Sequence, residues 1–226
     1  MFKDRKEAGE RLAQALMKYK SAADTIVLAL PRGGVVVGYG VARVLNLPLD
    51  IVVPRKIGAP GNPEYAIGAI TETGDAIFNE NEIRVVDKEW LKQEMEKEKK
   101  EAQRRLQKYH PSGKCSAGLH VPLSGGQAPA LRNATVIIVD DGIATGYTMR
   151  AAIASVKSHK PAKIVVAVPN CAADSIKQIR KEVDEVVVLE IPPVYFAVGA
   201  QYEDFPQTSD EEVIKLLRNA QSHNPS

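Results

Sequence analysis

Five short runs of apolar residues recur along the chain, spaced widely enough for helices between most of them. The runs are TIVLAL (25–30), LDIVVP (49–54), ATVIIV (134–139), AKIVVAV (162–168) and DEVVVLE (184–190). They are nearly continuous in Val, Ile and Leu and do not alternate with polar residues, which is typical of strands buried on both faces of a parallel sheet. The pattern therefore predicts a parallel β-sheet covered by helices on both sides.

Amphipathic segments surround these runs. Apolar residues at helical spacing predict an opening helix over residues 5–19 and further helices over 35–46, 147–159 and 172–182. A capping box formed by Ser209 and Glu212 begins a C-terminal helix, and turn residues at 73–75 predict a small hairpin over 66–79. The sequence thus predicts an α/β, doubly wound, mainly parallel (Rossmann-like) fold in one domain spanning 1–226.

One segment interrupts this alternation. Residues 87–109 form a long helix candidate with one apolar stripe and favourable i,i+4 ion pairs, followed by the Pro/Gly/Ser-rich stretch PSGKCSAG. We interpret residues 80–118 as a helical insertion whose helix covers the core or faces a second subunit. A nucleic-acid-binding arm is the alternative interpretation, which the interspersed glutamates disfavour.

Composition limits the classes of partner. The 226 residues contain 30 Lys and Arg against 28 Asp and Glu, so no bulk field attracts nucleic acid or anionic lipid. The two cysteines and four histidines lack zinc-site spacing, no apolar run approaches the roughly 18 residues of a membrane helix, and the first residues do not resemble a signal peptide. We expect a soluble cytoplasmic protein that binds neither nucleic acid nor membrane.

The most informative stretch is VIIVDDGIATGYTM, residues 136–149. Ligands of parallel α/β sheets lie beyond the carboxyl ends of the strands, which is where Asp140 and Asp141 fall. The small-residue loop that follows, the amino end of the next helix and the hydroxyls of Thr145 and Thr148 are suited to a phosphate monoester. Two carboxylates beside a phosphate are suited to ribose hydroxyls and a divalent cation. Simple helix capping by the two acids is the structural alternative.

This stretch resembles the motif that binds 5-phosphoribosyl 1-pyrophosphate (PRPP) in type I phosphoribosyltransferases. The resemblance implies that Asp140 and Asp141 bind the ribose hydroxyls, and contact Mg²⁺ indirectly through PRPP. It further implies that the adjoining loop binds the 5-phosphate through Gly142, Ile143, Ala144, Thr145, Gly146, Tyr147 and Thr148.

The same resemblance predicts three further parts. PRGG after the first strand would bind pyrophosphate through Arg32, Gly33 and Gly34. PRKIGAPGNPEYAIGA (54–69) would be a mobile loop that closes over the reaction, with Arg55 and Lys56 at its base. A C-terminal hood over about 190–208 would select the base, with Tyr195 and Phe196 stacking on a heterocycle.

The resemblance thus implies an Mg²⁺-dependent phosphoribosyltransferase in which Asp140, Asp141, Arg32 and Lys56 act on PRPP, and a heterocyclic base accepts the phosphoribosyl group. Glu190 and Glu203 are candidates for carrying the proton. The hood does not identify the base, because Ala144 stands where the 6-oxopurine enzymes have an acid. The alternative is a regulator of the same fold that senses PRPP or nucleotide without catalysis. The long helix also makes a homodimer an expectation.

Overall fold

The computed structural model describes residues 1–110, 122–123, 126–127 and 131–222. Its α-helices are α1 (Arg5–Ala15), α2 (Gly33–Leu45), α3 (Glu80–Ile83), α4 (Lys88–Tyr109), α5 (Tyr147–Ser158), α6 (Ala173–Ile179) and α7 (Asp210–Ser222). Its strands are β1 (Thr25–Ala29), β2 (Leu49–Ile51), β3 (Arg55–Ala59), β4 (Asn62–Ile70), β5 (Ala76–Phe78), β6 (Pro122–Leu123), β7 (Gly126–Gln127), β8 (Thr135–Val139), β9 (Lys163–Asn170) and β10 (Glu185–Glu190). Short 3₁₀ helices span Met17–Tyr19 and Val198–Gln201.

The central sheet has five strands in the order β10-β9-β8-β1-β2, and the paired strands are parallel. From β1 the chain moves outward to β2, whereas from β8 it moves in the opposite direction to β9 and β10. The winding therefore reverses between β1 and β8, and their carboxyl ends flank the crevice in which doubly wound proteins bind ligands. The predicted doubly wound α/β class is confirmed.

Two apolar cores enclose this sheet because successive strand side chains point to opposite faces. Val27, Ile137 and Val165 face the core shared with α1, α2 and α7, while Ile26, Ile138 and Val166 face the core shared with α5 and α6. All six side chains are fully buried. Burial on both faces explains why the strand sequences lack polar alternation.

A second, antiparallel sheet in the order β3-β4-β5 follows β2. The predicted hairpin over 66–79 is confirmed, with Gly68 opposite Phe78. The segment predicted as a mobile loop, residues 54–69, forms β3 and most of β4, and its closure over the reaction stays a prediction. Gly58 allows the tight pairing, since a Cβ there would lie 2.4 Å from the Pro63 carbonyl oxygen. Pro and Gly here mark a bulged hairpin and its turn.

The long helix is confirmed as α4. It packs Trp90, Leu91 and Met95 against the second sheet, and Tyr109 against the core shared with α1, α2 and α7. The opening helix ends at Ala15 and continues as a 3₁₀ turn. PSGKCSAG lies outside the described residues. Among the part of the chain that the structure describes, no helix has both the length and the apolarity needed to cross a membrane.

The segment after β10 is tied to the start of the chain. Phe2 and Tyr202 form a parallel bridge, in which the Phe2 amide donates to the Gln201 carbonyl and the Glu203 amide donates to the Phe2 carbonyl. The rings of Phe2 and Tyr202 also pack, with centroids 5.5 Å apart. The predicted hood is thus built together with residues that precede α1.

Candidate functional site

Two adjacent acids end β8 at the reversal point of the sheet. Val139 pairs with Ala29 of β1, so Asp140 and Asp141 emerge beside the β1–α2 loop. The Asp140 side chain turns back and accepts from the Asp141 amide at 2.8 Å. Both residues are partly buried. The sequence-predicted acids therefore lie in the crevice that the topology creates.

The start of α2, directly after the β1–α2 loop, lies against both acids, and its two glycines make this possible. A Cβ on Gly33 would lie 1.9 Å from Asp141 Oδ2, and a Cβ on Gly34 would lie 2.7 Å from Asp140 Oδ1. Only residues without a side chain let the loop approach this closely. The peptide bond joining Pro31 to Arg32 is cis. The structure thus brings the PRGG loop and the acid pair into one site.

The loop after Asp141 is fixed to the end of β9. The Ile143 amide donates to the Asn170 carbonyl at 3.0 Å, and the Ala172 amide donates to the Ile143 carbonyl at 2.9 Å. Ser175 Oγ donates to the Ala144 carbonyl at 2.6 Å. These bonds leave Ala144 and Thr145 exposed on the outer side of an anchored loop.

Two helices begin at this site. Gly146 precedes α5 in the left-handed region, with φ of 80°, and offers no side chain to cap the helix. Arg32 precedes α2 and makes no side-chain capping bond. The first amides of a helix lack intrahelical partners and carry partial positive charge, so they attract anions. The site therefore presents two separate helix amino ends for anionic groups.

Three residues that the sequence patterns do not reveal hold Asp141 in place. Arg5 Nε donates to Asp141 Oδ2 at 2.7 Å. Tyr202 Oη donates to the Asp141 carbonyl at 2.5 Å, and Asn170 Nδ2 donates to the same oxygen at 3.3 Å. Asn170 ends an apolar strand, which is a signal that could have identified it, whereas Tyr202 follows an irregular segment without a comparable signal.

Burial dominates the electrostatics of the acid pair. Burial of its carboxyl raises the pKa of Asp140 well above the usual range, and the neighbouring Asp141 charge raises it further. Burial, followed by the Asp141 charge, also raises the pKa of Tyr202, which keeps its hydroxyl available as a donor. Asp140 is therefore a weaker acid than an exposed aspartate, and a cationic partner would favour its ionised form.

The predicted cations are held by other elements. Arg32 Nη1 lies 3.9 Å from Asp210 Oδ1 at the start of α7, and Asp210 also accepts from Lys108 and Tyr109 at the end of α4. Arg55 Nε donates to Glu98 Oε2 of α4 at 2.8 Å. Lys56 lies next to it in β3, opposite Ala69. Helix α4 is therefore linked by charge to both predicted cationic segments.

The two hood aromatics differ in their surroundings. Tyr195 is partly buried, and its hydroxyl donates to Asn170 Oδ1 at 2.5 Å, which connects it to the site. Phe196 is 87% exposed and does not pack as a core residue.

Glu190 and Glu203, the two candidate proton carriers, contact residues outside the acid pair. The Glu190 carboxylate faces Arg11 at 3.3 Å. Glu203 is exposed, and its backbone amide pairs with the Phe2 carbonyl. Neither of these contacts is with the acid pair.

The donor set is compatible with Mg²⁺ in one specific way. Asp140 and Asp141 supply the hard carboxylate oxygens that Mg²⁺ prefers. Among the described residues, no group of three or more His, Cys, Asp or Glu side chains could hold a metal by itself. Mg²⁺ bound here would therefore complete its coordination with water and with oxygens of an anionic ligand, as is common for this ion.

The fold and site define a doubly wound α/β protein. Its acid pair and two helix amino ends lie between β1 and β8, where the winding of the sheet reverses. The phosphoribosyl transferase domain matches residues 2–204, and the chain belongs to this family. The resemblance noted in the sequence is thereby confirmed.

Known relatives agree with this assignment. The crystal structure of TT1426 from Thermus thermophilus is 37% identical, with a TM-score of 0.77 over 97% of this chain and 98% of that chain. Rv0571c from Mycobacterium tuberculosis strain H37Rv, provisionally named a phosphoribosyl transferase, is 40% identical over 222 residues. The match covers 97% of this chain and 47% of Rv0571c, so the chain spans about half the length of the curated relatives it matches.

Proposed function

We propose that the protein transfers the 5-phosphoribosyl group from PRPP to a nitrogenous base and releases pyrophosphate. The observation that carries this proposal is the contact of the Asp140–Asp141 pair with Gly33 and Gly34, between two helix amino ends. PRPP has two anionic groups joined by a ribose, and the crevice offers two anion-attracting helix ends separated by carboxylates. Family membership supports the same ligand.

Each part of the site has a role in this proposal. Asp140 and Asp141 accept hydrogen bonds from the ribose hydroxyls. The loop from Gly142 to Thr148 and the start of α5 bind the 5-phosphate. Arg32, Gly33 and Gly34 at the start of α2 bind pyrophosphate, together with Arg55 and Lys56 from β3. Tyr195 and Phe196 contact the base.

The reaction is a displacement at C1 of the ribose. A ring nitrogen of the base forms the new bond to C1 while the bond from C1 to the pyrophosphate oxygen breaks, and a purine or pyrimidine base then loses its ring N–H proton. Positive charge develops on the sugar as in glycoside hydrolysis, so fixed carboxylates and an oriented ribose lower the barrier. Mg²⁺, held through PRPP and the acid pair, would neutralise charge on the leaving pyrophosphate.

The test is isothermal titration with PRPP and Mg²⁺, followed by pyrophosphate release across purine, pyrimidine and nicotinate bases. We expect binding by the wild-type protein and release with at least one base. Asp141→Asn removes a charged acceptor, a loss of roughly 1.5–3 kcal/mol, and should weaken PRPP binding by about one to two orders of magnitude. Asp174→Asn is the matched control, because the Asp174 side chain on α6 is 94% exposed. Equal PRPP affinity of Asp141→Asn and wild type would refute the site assignment.

A second function has one supporting observation. Arg55 is paired with Glu98, so one of the proposed pyrophosphate cations already has a partner within the chain. A protein that senses PRPP or nucleotide does not need leaving-group contacts. PRPP binding without pyrophosphate release for any base would favour this regulator over the transferase.

A further inference from the structure

Arg5 occupies a position that local helix energetics disfavour. It is the first residue of α1, and Asp4 caps that helix by accepting from the amides of Lys6 and Glu7. The amino end of a helix carries partial positive charge, so a cation in the first turn is unfavourable. Arg5 is also 9% exposed, which is rare for arginine unless it is paired. Such violations of local preference are expected where a residue serves a site.

The guanidinium of Arg5 joins three parts of the molecule. Nε donates to Asp141 Oδ2 at 2.7 Å, and Nη1 donates to the Pro206 carbonyl at 2.7 Å. The Phe205 ring stacks on the guanidinium, with its centroid 3.6 Å from Cζ. One side chain thus connects the amino end of α1, the acid pair and the end of the hood segment.

This ion pair differs from those on the surface. The Arg5 and Asp141 side chains are 10% and 15% exposed, whereas Arg43 and Glu10 are 53% and 58% exposed. Exposed pairs contribute little and reorient freely, but a shielded pair with a second hydrogen bond and a stacked ring fixes the carboxylate. Arg5 therefore holds Asp141 Oδ2 in a fixed position beside Gly33.

Building on the proposed function, we propose that Arg5 is a positioning residue for PRPP. It orients Asp141 toward the ribose hydroxyls and offsets the charge that this acid would otherwise present to an anionic ligand. Loss of Arg5 would free the carboxylate to rotate and would leave two acids beside the phosphates. Both effects weaken binding of PRPP and act through Asp141, so they should disappear when Asp141 is absent.

The test is a double-mutant cycle of Arg5→Gln and Asp141→Asn, measured as PRPP affinity in the presence of Mg²⁺. We expect Arg5→Gln alone to weaken PRPP binding by about 10- to 100-fold, with the activity loss mainly in KM for PRPP, because a shielded charged hydrogen bond is removed. In the Asp141→Asn background the same change should cost less than about 3-fold. Arg43→Gln, which removes an exposed arginine, should bind PRPP like the wild type.

Arg5→Lys adds an independent readout, since it restores the charge without the planar fork. It should bind PRPP more tightly than Arg5→Gln and more weakly than the wild type. Thermal unfolding without ligand tests the ion pair itself. It is measured for the wild type, the two single variants and the double variant, and the effects of the two substitutions on the unfolding midpoint should be non-additive.

Several outcomes would overturn the inference. Equal losses of PRPP affinity in both backgrounds, or no better binding by Arg5→Lys than by Arg5→Gln, would show that Arg5 does not act through its charge on Asp141. A wild-type protein that fails to bind PRPP would overturn the proposed function together with this inference. Wild-type binding with additive effects would overturn only the role of Arg5.

Discussion

Gly33→Ala tests the geometry of the site with a single methyl group. The new Cβ would lie 1.9 Å from Asp141 Oδ2 and 2.7 Å from Arg5 Nε, whereas ordinary contacts begin near 3.4 Å. The difference between 3.4 and 1.9 Å requires the loop or the carboxylate to move by about 1.5 Å. A misplacement of about 1 Å in a site can cost on the order of 100-fold in rate, and overpacking costs roughly 1–3 kcal/mol of stability.

Two assays measure the effect of this substitution, one on stability and one on PRPP affinity. We expect Gly33→Ala to lower the midpoint of thermal unfolding by roughly 2–12 °C, since overpacking costs roughly 1–3 kcal/mol and each kcal/mol corresponds to about 2–4 °C for a chain of this size. PRPP affinity should fall by at least about 10-fold, because the displaced group is the proposed ribose ligand. Isothermal titration with PRPP and Mg²⁺ measures the second effect.

A matched control separates the site from general stability. Gly74 lies in the β4–β5 turn with φ of 99°, where alanine is strained by roughly 1–2 kcal/mol. Gly74→Ala should therefore lower thermal stability while PRPP affinity stays at the wild-type value. If Gly33→Ala unfolds and binds PRPP like the wild type, the loop does not contact Asp141 and the reasoning fails.

Three further predictions concern the surroundings of the site. Asp140 has a raised folded-state pKa, so its protonated form favours folding and this contribution is lost as pH rises through that pKa. Asp140→Asn should thus raise the unfolding midpoint at neutral pH, with no gain near pH 3; a pH-independent difference would contradict this. Asn170→Leu removes the acceptor of the Tyr195 hydroxyl and should lower the free energy of unfolding, measured in denaturant, by roughly 1–3 kcal/mol. The double variant Asn170→Leu/Tyr195→Phe no longer has an unsatisfied hydroxyl and should recover part of that loss. Glu98→Gln removes the partner of Arg55 and should lower the free energy of unfolding by about 1 kcal/mol, whereas an unchanged midpoint in urea would mean that the pair is not formed.

The main fold is predictable because its determinants are local in the sequence. Uninterrupted apolar runs predict buried parallel strands, and the position of Asp140 after one run places it at the carboxyl edge. The β3–β4 hairpin is different, because its Pro and Gly residues equally suit a flexible loop. Its identity depends on pairing with neighbouring strands and on packing against α4, which no short window of sequence contains.

The acid pair and both glycine loops are likewise predictable, since each is a contiguous motif. The residues that orient the acids are not contiguous. Arg5, Asn170 and Tyr202 meet Asp141 only after the sheet has formed and the chain has returned across it. The contacts that fix the site therefore depend on tertiary structure, and only Asn170 carries a local signal, as a polar residue at the end of an apolar strand.

The bridge between Phe2 and Tyr202 has a consequence for biosynthesis. A ribosome delivers residue 5 long before residue 202, so a nascent chain lacks one of the groups that hold Asp141 until nearly all of the matched domain has emerged. Closing so long a loop costs conformational entropy that only the finished sheet offsets. The acid pair is thus completed only after residue 202 has been synthesised, and a ligand that needs it stabilises the folded domain without assisting its early folding.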